Sequence, residues 1–149
     1  MQKPRLIIQN TVECHVVNPD IILYIRSNGN YCDFHLTDGT IMKNVPLQLG
    51  QVAKQINRQF ADVQAPSFIQ VGRQYIVNSE HILSIFPSKK VLLFDLNIPF
   101  AQEKTAISPS SAALLALSMY LVSNESHSYL LKEPSTKDIT DDEIWLLND

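Results

Sequence analysis

Residues 68–85 read FIQVGRQYIVNSEHILSI, two short β-patterned runs set around the tetrad Tyr75-Ile76-Val77-Asn78. β-Branched and aromatic side chains dominate, and apolar positions recur at Phe68, Ile69, Val71, Tyr75, Val77, Ile82, Leu83 and Ile85. Gly72 and Asn78-Ser79 interrupt the runs where a chain turns, so the stretch predicts strands joined by tight turns. Nothing in it is catalytic in character. Beside Gly72 stand Arg73 and Gln74, a long cation and a side-chain amide, the donor types that read base edges and phosphates. A solvated strand end is the other reading of that pair.

Upstream, residues 20–40 read DIILYIRSNGNYCDFHLTDGT, a strand, a turn, a strand and a second turn. Asn28-Gly29 and Asp38-Gly39 are hairpin signals, because both central positions of a type I′ turn need positive φ. Three consecutive antiparallel strands follow from them. In residues 45–60 the apolar side chains Leu49, Val52, Ile56 and Phe60 step by three, four and four, with Gln48, Gln51, Lys54, Gln55 and Arg58 between. That spacing predicts a helix with one buried face, and Pro46 suits its first turn.

Taken in order, these motifs resemble the LytTR family of bacterial DNA-binding domains. The matching residues are Ile22-Leu23-Tyr24-Ile25, Gly29-Asn30-Tyr31, Leu36-Thr37-Asp38-Gly39, Leu47 with Leu49, and Tyr75-Ile76-Val77-Asn78 with Ile82 and Ile85. Ser108, after the strand Val91-Leu92-Leu93-Phe94, matches the serine that closes the family's last strand. The likeness covers residues 15–112.

The resemblance implies a mainly β fold, an elongated antiparallel sheet domain with one short helix, whose loops enter successive major grooves of double-stranded DNA. Carried over by position, the DNA contacts are Asn30 with Tyr31, Arg73 with Gln74, Lys90, and Ser108 with Ser110. Arg73 and Asn30 are expected at bases, and Lys90, Tyr31 and Gln74 at phosphates. Such proteins often bind direct repeats as two copies. Where the family pattern runs Arg-x-His-Arg/Lys-Ser, this chain has Gln70-Val71-Gly72-Arg73-Gln74, which retains a single basic residue.

Charge bears on the same question, since lysine and arginine neutralise phosphates. Residues 1–100 hold nine Lys/Arg against seven Asp/Glu, a net of +2; residues 101–149 hold three against eight, a net of −5. The chain's overall charge of −3 therefore belongs to its C-terminal third. A body this lightly cationic predicts modest, salt-sensitive DNA affinity.

Enzymatic signatures are missing. Glycine occurs only at 29, 39, 50 and 72, which leaves no phosphate-cradling loop and no Gly-x-Ser-x-Gly elbow. No pair of acidic residues in the first hundred positions is spaced for acid/base work. Cys14 and Cys32 lie near His15 and His35, but Cys32 and His35 are three apart on a predicted strand and point to opposite faces. No metal site and no cofactor is expected. Leu6-Ile7-Ile8 is too short for the apolar region of a signal peptide, which predicts a cytoplasmic protein.

Residues 113–149 read as a C-terminal helical, acidic extension to a DNA-binding domain at 1–112. Ser108-Pro109-Ser110-Ser111 looks like a helix start leading into AALLALSMYLV, residues 112–122, apolar nearly all round. Too short to span a bilayer, this helix is expected either against the sheet or in a homodimer through Leu114, Leu115, Leu117, Met119 and Leu121. Polar loops are expected at 124–128 and 133–137. Thr140 with Glu143 forms a capping box and Ile139 with Ile144 a hydrophobic staple, which predicts a final helical turn. Its Ile144, Trp145, Leu146 and Leu147 could dock on a partner or pack on their own domain.

Two function classes follow. One is a sequence-specific transcription regulator of LytTR type. The other is a degenerate LytTR-like interaction or dimerisation module that does not bind DNA, a reading favoured by Gln70, Gly72 and the acidic C-terminal third.

Overall fold

The computed structural model describes residues 5–60, 67–96, 104–123 and 140–147. The polar loops expected at 124–128 and 133–137, and Ile139 of the expected staple, lie outside these residues.

Among the described residues the fold is mostly β, with several antiparallel sheets and two α-helices. Hairpin β1 (Leu6–Gln9) and β2 (Cys14–Val17) precedes three strands, β3 (Ile22–Asn28), β4 (Tyr31–Leu36) and β5 (Ile41–Val45). Gly29 and Gly39 take φ of 63° and 87° at the two turns between them, where turns are expected, but Asn28 and Asp38 are not at positive φ and Asn28 still pairs with Tyr31, so neither pair forms the central residues of a type I′ turn. Helix α1 (Leu49–Phe60) follows and buries Leu49, Val52, Ala53, Ile56 and Phe60. It begins three residues after Pro46, whose carbonyl instead accepts from Asn10 Nδ2 at 2.9 Å.

Strands β6 (Phe68–Val71) and β7 (Tyr75–Asn78) form the next hairpin, and β8 (Ile82–Phe86), β9 (Val91–Asp95) and β10 (Lys104–Ile107) make a separate three-stranded sheet. Helix α2 (Ser111–Ser123) then leads on, and the described chain closes with β11 (Ile144–Leu146). The central sheet has the order β11-β6-β7-β3-β4-β5.

This central sheet is covered on both faces, which explains why β6 and β7 are buried at every residue and lack a polar alternation. On one face Ile22, Ile25, Phe34, Phe68 and Ile76 meet α1 and the β1–β2 hairpin. On the other, Leu23, Tyr24, Ile69, Val71 and Val77 meet Leu92, Phe94 and Ile107, together with Leu114 and Leu117 of α2. Cys32 belongs to the first core, while His35 stacks on Tyr24 of the second at 4.3 Å between ring centroids. Two glutamines of α1 complete the free edge of β1: Gln59 exchanges hydrogen bonds with Ile7 (2.8 and 2.6 Å) and Gln55 with Gln9 (3.0 and 2.9 Å).

The end of the described chain departs from expectation. Thr140 Oγ1 does donate to Glu143 Oε1 (2.9 Å) and accept from the Asp142 amide (3.3 Å), but the chain continues as a strand and not a helical turn. Ile144, Trp145 and Leu146 pair antiparallel with Val71, Gln70 and Ile69. Bonds from the Gly72 amide to Glu143 O (2.7 Å) and from the Leu147 amide to Phe68 O (3.0 Å) flank the pairing. A single helical turn in water is marginal; the edge of β6 offers these hydrogen bonds and a covered position for Ile144, Trp145 and Leu147, all buried within their own chain. A boundary drawn after residue 112 falls inside α2, whose Ala113, Leu114 and Leu117 share the second core with Ile144.

Candidate nucleic-acid interface

Hairpin geometry gathers the expected contact residues at one end of the central sheet. In β6–β7 the turn is made by Gly72, Arg73 and Gln74, with Gly72 at φ 65°. Its neighbour is the β3–β4 turn, since Arg26 pairs with Tyr75 and the Ser27 amide donates to Gln74 O at 2.8 Å. The β8–β9 turn brings Lys90, held at φ 57° with its amide donating to Pro87 O at 3.2 Å. The segment between β10 and α2 brings Ser108 and Ser110.

Of the seven expected residues, Arg73, Gln74, Lys90, Ser108 and Ser110 line one open recess of about 240 Å³, together with Gly72, Pro109 and Asp141. Asn30 and Tyr31 lie on the adjacent β3–β4 turn and are not among its lining residues. Both are exposed, and Asn30 Oδ1 accepts from Gln48 Nε2 at 3.4 Å.

Two of the five expected residues in the recess already have side-chain partners. Ser110 Oγ accepts from the Ala113 amide at 3.1 Å, capping α2, and donates to Asp141 O at 2.9 Å. Arg73 makes a two-pronged contact with the Asp141 carboxylate, Nε to Oδ1 at 3.1 Å and Nη2 to Oδ2 at 3.0 Å. Both side chains remain open to solvent, 65% and 53% exposed. Hydrogen bonding to Arg73 holds the Asp141 carboxyl below the usual carboxylate range, and the carboxylate in turn raises the guanidinium further.

Asp141 is the residue that sequence reasoning missed. Its backbone oxygen lies 2.9 Å from where a Cβ on Gly72 would stand, so a side chain at position 72 would push it away. Arg26 was also overlooked; exposed on β3, it lies over the Tyr75 ring at 5.9 Å from the centroid. A signal for Arg26 existed in its position two residues before the Asn28-Gly29 turn. For Asp141 there was none, because 68 residues separate it from Arg73.

Away from the recess, burial pushes the Cys32 thiol up to about 12 and the Tyr24 hydroxyl up to about 12, leaving both uncharged. Among the described residues no His, Cys, Asp and Glu side chains cluster to hold a metal ion, and no helix is long and apolar enough to cross a membrane.

A scaffold of short hairpins that groups polar and cationic tips at one end defines a binding domain built to present side chains. Comparison with known families specifies which kind. The model of the LytTr DNA-binding domain matches residues 13–117, and the chain belongs to that family. Among solved structures, a LytTr DNA-binding domain from Bacillus cereus is similar in fold: the TM-score is 0.50 at 16% identity, over 80% of this chain and 98% of that one. No curated protein sequence matches the chain.

Proposed function

We propose that this chain is a sequence-specific transcription regulator that reads double-stranded DNA by inserting its hairpin tips into the major groove. The observation that carries this reading is the convergence of Arg73, Gln74, Lys90, Ser108 and Ser110 on one recess, beside the turn that bears Asn30 and Tyr31. Arg73 and Asn30 read bases. Lys90, Tyr31 and Gln74 contact phosphates, and Ser108 and Ser110 complete the surface. Binding DNA in a bacterial cell sets the protein's work in the cytoplasm.

Two copies occupy direct repeats. Because Leu114 and Leu117 are buried in the chain's own core, a contact between copies falls to Leu115 and Met119, which are exposed on α2, with the partly covered Leu121 at its margin. The division at residue 112 is one of role: residues 1–112 read DNA, and residues 113–149 buttress them and supply the contact between copies.

The interaction-module reading has one observation in its favour, the Arg73–Asp141 pair, which cancels the basic charge kept at the tip. Salt dependence separates the two. With two or three phosphates neutralised, affinity for duplex DNA should fall about 10- to 40-fold between about 50 and about 200 mM salt. A gel-shift titration at both concentrations measures this; no retarded species with any duplex at the lower salt would leave the interaction module standing.

A further inference from the structure

We propose that Asp141 is a positioning residue for base reading, locking Arg73 so that its free N–H pair meets O6 and N7 of one guanine. This rests on the DNA-reading function proposed above, and it assigns to the C-terminal strand a part in specificity.

Counting donors gives the argument. A guanidinium has five N–H groups in a rigid plane. Asp141 engages Nε–H and one Nη2–H, the side edge of the fork. Both Nη1 hydrogens and the second Nη2 hydrogen remain, and they include the parallel end-on pair whose spacing suits the two acceptors of a guanine Hoogsteen edge. A carboxylate across the end of the fork would have blocked reading. Across its side it leaves reading open and fixes the plane.

The backbone that carries the carboxylate is itself held by contacts that do not involve the Arg73 side chain. Asp141 O accepts from Ser110 Oγ at 2.9 Å, the next turn is tied by Gly72 N to Glu143 O at 2.7 Å, and the missing side chain at Gly72 admits the approach. Charge points the same way. Paired with Asp141, Arg73 loses most of its pull on phosphates while keeping directional donors, so it discriminates between bases more than it adds non-specific affinity.

The test uses duplexes enriched from a randomised pool by the full chain, and compares the unmodified protein with Asp141→Ala, Asp141→Asn and Arg73→Ala. Substitutions at Asp141 leave its backbone contacts with Ser110 and Gly72 in place, and the isosteric Asn variant guards against a folding defect in the Ala variant. The unmodified protein should prefer guanine at one position by about tenfold or more, and Arg73→Ala should abolish that preference. Both Asp141 variants should lose most of the same preference, while binding to unrelated duplexes holds or tightens and the salt slope steepens by about one ion as the freed Arg73 turns to phosphate. A generally weakened fold would lower specific and unrelated binding together, without steepening the slope, and would overturn the inference. So would a retained guanine preference in both Asp141 variants, including tighter binding with preference intact, which would make the carboxylate a mask. If the unmodified protein enriches no duplex at all, the DNA-reading function fails first and the inference with it.

Discussion

Asn78 shows how much one amide can do at a strand end. It is fully buried; Nδ2 donates to Ile22 O (3.0 Å) and Pro19 O (3.4 Å), and Oδ1 accepts from the Glu80 amide (3.1 Å). Asn78→Ala strands a buried carbonyl and an amide at once, so stability should drop by about 2–3 kcal/mol, read as a lower urea midpoint at unchanged slope. The tetrad's strand character was legible from its β-branched side chains, but the task of its last residue was not, because its acceptors lie 56 and 59 positions earlier. His35 supplies a pH dependence. Burial lowers its pKa, with nearby Arg26 and Lys43 acting in the same direction and Asp33 opposing. The unfolded chain therefore takes up the proton first as pH falls, so this contribution to stability is complete above about 6.5 and shrinks below it until the lower folded value is passed. His35→Phe should keep the stack on Tyr24 and flatten that part of a stability-versus-pH curve; an unchanged curve would assign the dependence to other groups. Arg73's place in the recess was legible from its position beside a turn glycine. Its partner was not, since a salt bridge between distant positions leaves no local pattern.

The short strand β11 is the element that sequence reasoning misread. Thr140 and Glu143 have the spacing of a capping box, and their side chains do meet, yet that spacing serves a tight turn into a strand equally well. What decides the outcome is non-local: the unpaired edge of β6, which no window around residue 144 can reveal. Strands β3, β4 and β5 and helix α1 were legible because their signals are local, an Asn-Gly, an Asp-Gly and a helical apolar step. The β6–β11 seam is also imperfect. Gln70 Oε1 and Trp145 Nε1, on register partners, are buried with no hydrogen-bond partner among the described residues. Gly72→Ala tests how the seam is held, since it forces a side chain into positive φ and against Asp141 O at 2.9 Å. We expect a loss of about 1–3 kcal/mol from these two effects. Amide hydrogen exchange should accelerate at Ile144, Trp145 and Leu146 before it changes in β3 or β4; uniform acceleration would mean that β11 and the sheet open as one unit.

At the scale of the whole molecule, one six-stranded sheet serves two hydrophobic cores, and its end holds the lightly charged tips. The sequence made the succession β3, β4, β5 and the two strand runs around Gly72 legible, together with most residues of the recess, but neither the order of the six strands nor the place of β11 among them. It left the two-core arrangement hidden, because continuous apolar runs such as β6 and β7 say that both faces are covered without saying by what. The sheet's two borders also differ. At one, β11 covers β6; at the other, β5 ends the order, guarded by exposed Lys43 and by the positive φ of Asn44, which bends its line. Deleting residues 140–149 would bare the first border while the second stays as it is. The bared β6 edge has no such guard, and with Ile144 and Leu147 gone apolar surface of both cores is uncovered beside it, a patch through which copies adhere without a closed geometry. The truncated protein should therefore scatter light increasingly with concentration and sediment as a ladder of sizes, whereas the full chain should not. On this account a three-residue strand also acts as a stopper, keeping the domain from clumping with its own copies.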